Sequence, residues 1–375
     1  MILVAGAVVF LLASVTAWAA TGALIPLMKR RAILDVPNAR SSHAVPRPWG
    51  GGLGILAGMI VGGLGAWALG LDVPGPAFFV GVALMAAVGF ADDRAGGISA
   101  WLRLLLQIAA AGLVVYEAGG LTRFPFPAPL DWTLGWLGIP VALIWIVGVT
   151  NLYNFLDGID GYAGVQGVIA GLGMACLSIL YPPLGFGAIL AGACSGFLLH
   201  NWHPSRIFMG DVGAYTLGFM LAALPFELDP AMQPSVVFAM ALCLWFFLSD
   251  GTFTIVRRLV EGEKVWTAHR THLYQRLVLT GLTHSQVVLR VGAAAMVVAG
   301  LGVFAVYQAS ALGEWAALVC AFVSFIVYYK ATTRREQRTV GPDADPVADG
   351  ALVLPVDVDT TTESSASRVE DAGRV

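Results

Sequence analysis

Four polar side chains recur at every third position in Asn151-Leu-Tyr-Asn154-Phe-Leu-Asp157-Gly-Ile-Asp160-Gly161, directly behind the apolar run from Leu134 to Thr150. On a helix or a tight helical turn this spacing predicts one shared face of two amides and two carboxylates. Such a face calls for a cation, a nucleotide or both. Gly158 and Gly161 loosen the backbone around it.

Other stretches carry compatible chemistry. In Asp92-Asp93-Arg94, adjacent carboxylates suppress each other's ionisation, so one is a candidate base, with Arg103 and Gln107 following on the next helix. The plainer alternative is a solvated loop start with a local Asp–Arg pair. At the bilayer centre each Asp would cost roughly 2.5–3.5 kcal/mol, which places the pair at the membrane edge. Asp211, in Gly210-Asp211-Val-Gly213 before a new apolar run, either caps the following helix or holds a metal. Gly50-Gly51-Gly52 behind Arg47 either lets backbone N–H groups approach an anion or serves close helix packing. His269-Arg270-Thr-His272-Leu-Tyr274-Gln275-Arg276 suits phosphate oxygens through bidentate Arg and titratable His. Zinc on His269 and His272 is disfavoured, because no cysteine accompanies them and the arginines repel a cation.

The elements that must position these residues follow from composition. The chain has 375 residues, 58% hydrophobic and 12% charged, with mean hydropathy +0.78, far from the quarter charged of a typical soluble protein. Runs long enough to cross a bilayer recur, and nothing alternates like a barrel strand, so the expected fold is an all-α polytopic membrane protein. Eleven transmembrane helices are expected, near residues 2–28, 51–70, 77–91, 101–118, 134–150, 162–180, 184–200, 213–228, 234–256, 285–308 and 312–329. With the N-terminus outside and the C-terminus cytoplasmic, Arg123 alone of the 21 Lys and Arg residues falls outside, as the positive-inside rule requires. All six histidines and every motif above then face inward. The four cysteines lie in apolar runs and read as buried fillers. A net charge of −3 gives no reason to expect a nucleic-acid partner. Residues 1–330 form the membrane catalytic domain, and residues 331–375 read as a disordered acidic cytoplasmic tail.

Taken in order, Ser41-Ser42-His43 with Pro46 and Gly50-Gly51-Gly52, Asp92-Asp93, Asn151 to Gly161, Phe208-Met-Gly-Asp211-Val-Gly213 and His269 to Arg276 resemble the polyprenyl-phosphate N-acetylhexosamine-1-phosphate transferases. That family includes the initiators of O-antigen and common antigen and is related to the muropeptide translocase. The resemblance covers roughly residues 1–330. It implies transfer of sugar 1-phosphate from a UDP-sugar to undecaprenyl phosphate at the cytoplasmic face of the bacterial inner membrane, with release of UMP.

The same resemblance implies Mg²⁺, replaceable by Mn²⁺, on Asp211, with Asn154 and Asp157 beside metal and nucleotide. Asp92 or Asp93 is the implied base or lipid-phosphate orienter, and His269, Arg270 and His272 hold diphosphate or sugar. Ser42, His43, Arg47, Gly51, Arg103, Asn151, Asp160 and Arg276 complete the expected substrate-binding set, and a homodimer is compatible with it. Ala214 and Tyr162 depart from the family pattern without removing a charge. The last loop lacks the triple-histidine form of the muropeptide translocase, which makes a muropeptide the alternative substrate. An ion-coupled transporter would need ionisable groups near mid-span, whereas here they cluster at inner ends.

Overall fold

The computed structural model describes residues 2–36, 45–95, 97–263 and 270–340. In a bilayer, only a helix or a closed barrel satisfies its own backbone groups, and these apolar stretches fold accordingly as a helical bundle. Its helices are α1 (Ile2–Arg30), α2 (Gly52–Ala68), α3 (Pro76–Ala95), α4 (Ala100–Ala118), α5 (Gly138–Phe155), α6 (Tyr162–Leu177), α7 (Phe186–Asn201), α8 (Asp211–Ala223), α9 (Gln233–Cys243), α10 (Trp245–Val260), α11 (Leu273–Leu279), α12 (His284–Gln308) and α13 (Ala311–Val340). Between α1 and α2, strands β1 (Leu34–Asp35) and β2 (Arg47–Pro48) pair antiparallel with Leu34 opposite Pro48 and Asp35 opposite Arg47.

Among the described residues, seven helices are long and apolar enough to cross a membrane: α1, α3, α4, α5, α7, α12 and α13. The bent pair α9–α10 would make eight, which is fewer than the eleven spans expected. The expected span over 234–256 is broken at Leu244 (φ −98°, ψ 12°), and its two halves meet at 77°. The remaining three elements are short, with 17 residues in α2, 16 in α6 and 13 in α8. The apolar character of α8 serves the protein core: every residue from Val212 to Ala223 is buried.

α8 is the axis of the bundle, packed against α3 and α5. A Cβ on Gly89 would stand 2.5 Å from the Asp211 carbonyl oxygen, so α3 and the head of α8 meet backbone to backbone. That close approach brings the end of α3 to the start of α8. Outward faces of α1, α4 and α13 expose large apolar side chains such as Leu3, Leu105 and Val327, as a lipid-facing belt does.

Two sequence expectations need correction here. Of the cysteines, Cys194 and Cys243 are buried fillers, but Cys176 and Cys320 are exposed, because they fall on outward helix faces. The tail was expected to begin at residue 331, whereas α13 continues to Val340. Tertiary contacts hold this extension: buried Glu336 takes the Arg276 Nε–H at 2.7 Å, and the Arg335 Nε–H donates to the Thr280 hydroxyl at 2.8 Å. Residues 341–375 lie outside the described residues.

Candidate active site

The paired carboxylates at the end of α3 have separate tasks. Buried Asp92 accepts hydrogen bonds from Arg103 Nη1 at 2.6 Å, the Ile98 amide at 2.7 Å and the Tyr215 hydroxyl at 3.3 Å. Asp93 accepts the amides of Asp211 at 2.8 Å and Val212 at 3.1 Å. A carboxylate from α3 thus caps α8, where free N–H groups and the helix dipole favour negative charge. Gly210, at φ +76°, turns the chain into the helix. Asp211 was expected either to cap or to bind metal. The capping role falls to Asp93, and Asp211 Oδ1 accepts from Asn154 Nδ2 at 2.7 Å.

The single polar face expected from Asn151 to Asp160 does not form. α5 ends at Phe155, and Leu156 leaves helical backbone at φ −94°, ψ 0°. Alignment at three-residue spacing needs a continuous helix, and the Gly158–Gly161 turn interrupts it. A Cβ on Gly158 would collide with the Tyr274 hydroxyl, and Gly161 sits at φ +78°. The four residues therefore diverge. The Asn151 Nδ2–H donates to Gln107 Oε1 at 2.7 Å, and Asn154 reaches Asp211. Asp160 turns to the loop after α7 and to the head of α12, where its Oδ2 lies 2.7 Å from His203 Nδ1 and 3.4 Å from His284 Nδ1 and accepts the Ser205 amide at 3.1 Å.

The two carboxylates of this loop are driven in opposite directions. Burial pushes Asp157 up to about 7, with the negative charges of Asp211, Asp160 and Asp93 adding to the effect. Burial also disfavours a charged Asp160, but hydrogen bonds from His203, His284 and Ser205 outweigh it and hold this carboxyl well below the usual range. The ligand atoms of Asp160, His203 and His284 all lie within 4.8 Å of one another.

The His–Arg loop is set by a carboxylate at some distance in sequence. Asp250 on α10 is fully buried and accepts the amides of Leu273 at 3.0 Å and Tyr274 at 3.2 Å. Its Oδ1 stands 3.3 Å from His272 Nδ1, and its Oδ2 accepts from the Tyr328 hydroxyl at 3.3 Å. Arg257 Nη2 donates to the Thr271 carbonyl at 3.3 Å. Arg270 is half-buried. Arg276, expected to bind substrate, forms a two-point pair with Glu336. The Gly51 amide donates to the Phe208 carbonyl at 2.9 Å, and Arg47 Nη1 donates to Ser205 Oγ at 3.4 Å. Both contacts hold the head of α2 against the segment leading into Asp211. Ser42, His43 and His269 lie outside the described residues.

The tertiary structure thus gathers Asp92, Asp93, Arg103, Asn154, Asp157 and Asp211 around the head of α8, and ties Asp160 and Arg276 to other partners. Tyr215 carried no role in the sequence reading. It follows Asp211 by four residues, which places it on the same helical face and marked it as a neighbour. A cavity of about 450 Å³ lies against Asp93, lined by Arg31, Leu34, Trp49 and Arg94. In the sequence these arginines signal only topology or a local ion pair.

The donor set fits a hard divalent cation. Asp92 is neutralised by Arg103, whereas neither Asp157 nor Asp211 has a salt-bridge partner among the described residues. Mg²⁺ is commonly held by one or two carboxylates and completed by substrate oxygens.

A helical bundle with several membrane-length spans and an acidic cleft at the head of its buried central helix defines a multi-pass membrane protein with an enzyme-like site. Residues 76–228 match the model of glycosyl transferase family 4. The chain is 30% identical to a probable undecaprenyl-phosphate N-acetylglucosaminyl 1-phosphate transferase of Bacillus subtilis over 71% of its own length and 76% of that protein's. It is also 30% identical to a decaprenyl-phosphate N-acetylglucosaminephosphotransferase of Mycobacterium tuberculosis, covering 76% and 78% of the two chains. A phospho-N-acetylmuramoyl-pentapeptide-transferase of Synechococcus is 33% identical over 71% and 82%. The protein belongs to glycosyl transferase family 4, the family of these phospho-sugar transferases.

Proposed function

We propose that the protein transfers N-acetylhexosamine 1-phosphate from a UDP-sugar to undecaprenyl phosphate and so starts a cell-envelope glycan. The observation that carries this reading is Asp211, held by Asn154 beside Asp157 at the head of α8, in a chain whose relatives carry the names of polyprenyl-phosphate sugar-phosphate transferases. An oxygen of the lipid phosphate attacks the phosphorus attached to the sugar. The bond from that phosphorus to the bridging oxygen breaks, and UMP leaves with the electron pair.

Asp211, Asp157 and Asn154 would hold Mg²⁺, which neutralises charge developing on the diphosphate. Asp93 fixes the backbone of Asp211, and Arg103 with the Ile98 amide holds Asp92 beside it. Arg31 and Arg94, lining the cavity against Asp93, supply positive charge for the acceptor phosphate. The lipid phosphate is largely ionised near neutral pH, so a base has little proton to remove, and charge neutralisation carries more of the barrier.

The reading includes eleven membrane crossings with the N-terminus outside, the site at the cytoplasmic face of a bacterial inner membrane, and assembly as a homodimer. Short α8 is compatible with it, since a helix buried in the bundle need not match the full hydrocarbon thickness, and the 17 residues of α2 reach the short end of the spanning range. The Synechococcus relative supports a second reading, with a UDP-linked muropeptide as donor. Purified protein given Mg²⁺, undecaprenyl phosphate and separate UDP-sugars tests both. UMP release with UDP-N-acetylhexosamines is expected, release with the muropeptide donor alone selects the second reading, and no release with any donor overturns both.

A further inference from the structure

Away from the acidic cleft, a cavity of about 700 Å³ opens among α10, α11, α12 and α13. This is the size of a site for a small amphiphile or for the headgroup end of a larger one. Its lining is divided in polarity. Arg290 near the start of α12 and Arg334, Arg335 and Arg338 near the end of α13 contribute positive charge, while Phe246, Val291 and Val327 contribute apolar surface. Arg334 and Arg338 are four residues apart and Arg335 and Arg338 three, so like charges crowd one helical face, an arrangement that costs stability unless an anion joins them. None of the four has a carboxylate partner among the described residues, and the Arg335 Nε–H donates to the Thr280 hydroxyl. The nearby carboxylate of Glu336 is held by Arg276.

The position identifies the occupant. α12 and α13 are both membrane-length helices, and Val327, which lines the cavity, is 61% exposed on the outward apolar face of α13, with Leu289 beside Arg290 exposed at 60%. The cavity is therefore open sideways to the lipid belt, with its basic residues at the ends of helices. The geometry points to a binding site for an anionic phospholipid, its phosphate among the arginines and one acyl chain on the apolar floor. The site also touches the catalytic region: Tyr328 lines the cavity and donates its hydroxyl to Asp250, which fixes the His272 loop. The proposal does not depend on which sugar the protein transfers.

Native mass spectrometry of the full chain, released from bilayers containing equal amounts of phosphatidylglycerol and phosphatidylcholine, tests it without an activity readout. Retained phosphatidylglycerol is expected in excess over phosphatidylcholine. In the combined variant R290Q/R334Q/R338Q, which spares the Arg335–Thr280 contact, retention should fall by at least about tenfold. Melting temperatures in phosphatidylcholine alone establish that the variant is folded. A Val291→Trp variant, which fills the floor and keeps the arginines, should lose the lipid as well. Equal retention of both lipids, or retention indifferent to the arginines, overturns the site. So does competition by chain-free glycerophosphoglycerol as effective as by the lipid, which would mean a simple anion site. Displacement by polyprenyl phosphate at far lower concentration would make the cavity an acceptor site and overturn the proposal. Phosphatidylglycerol binding seen only after deletion of residues 341–375 would assign the cavity to the chain's own acidic segment, and would equally overturn it.

Discussion

Asp93 holds Asp211 by its backbone: its two carboxylate oxygens accept the amides of Asp211 and Val212, across 118 residues of sequence. The side chain of Asp211 is thereby left to face Asn154 and the cleft. The two aspartates are one unit, a cap and the group it presents, and the unit closes around Gly210.

Gly210 is the most sensitive backbone position in that unit. A side chain there is forced to φ +76°, and its Cβ would lie 2.9 Å from Asp93 Oδ2. Gly210→Ala should cost about 1–3 kcal/mol and dislodge the cap. A lower melting temperature in detergent, together with reduced UMP release, is the expected result.

Among the acidic residues, Asp211 should matter most. Asp211→Asn is expected to lower UMP release by roughly a hundredfold or more, because it removes a carboxylate from the divalent-cation site. Asp92→Asn and Asp93→Asn should lose less, since each keeps one acceptor oxygen, for Arg103 in the first case and for one of the two α8 amides in the second. Assays of the three variants at saturating Mg²⁺ check this order, and a nearly active Asp211→Asn enzyme would sink it.

Asp157 links Mg²⁺ affinity to pH. Pushed up to about 7 by burial and neighbouring charge, its carboxyl is mostly protonated below neutrality and ionised above it. The proton competes with the cation, so apparent Mg²⁺ affinity should rise as pH increases through 7 and level off above it. A roughly tenfold gain between pH 6 and pH 8 is expected, measured by Mg²⁺ titration of UMP release at each pH. Asp157→Asn should shrink the pH dependence to the part left by Asp211, which burial pushes up to about 6.

Asp160 links stability to pH with a different window. Its folded carboxyl is held well below the usual range by His203, His284 and Ser205. A depressed carboxyl contributes stability that is fully present above the unfolded value near 3.9 and is lost as pH falls toward the folded value. The melting-temperature gap between wild type and Asp160→Asn should thus be widest near neutrality and close below about pH 4. A gap that widened in acid would refute the assignment.

Asp250 should govern the His272 loop without touching substrate. Asp250→Asn removes the charge that holds the Leu273 and Tyr274 amides, at a cost of about 1–3 kcal/mol. Faster hydrogen exchange at those two amides, with a higher KM for the sugar donor, distinguishes a positioning role from general destabilisation.

Composition alone determined the helical membrane class, because 58% hydrophobic content in long uninterrupted runs leaves a helix as the only element that satisfies its own backbone there. The motifs also supplied residues that the fold makes neighbours in space: Asp92, Asp93, Asn154, Asp157 and Asp211 meet at the head of α8. Spacing could not say which of them does what. The three-residue repeat from Asn151 to Asp160 predicted one face, but the helix ends at Phe155, since Gly158 is needed where the Tyr274 hydroxyl packs. Asp93 became the cap of α8 only because Gly89 lets α3 reach the helix head. Asp160 became a structural tie only because α12 delivers His284 from 124 residues away. Local pattern fixes which groups are polar and which segment is apolar, while the partner of each charge depends on close approaches between distant segments, and only the packed bundle decides those.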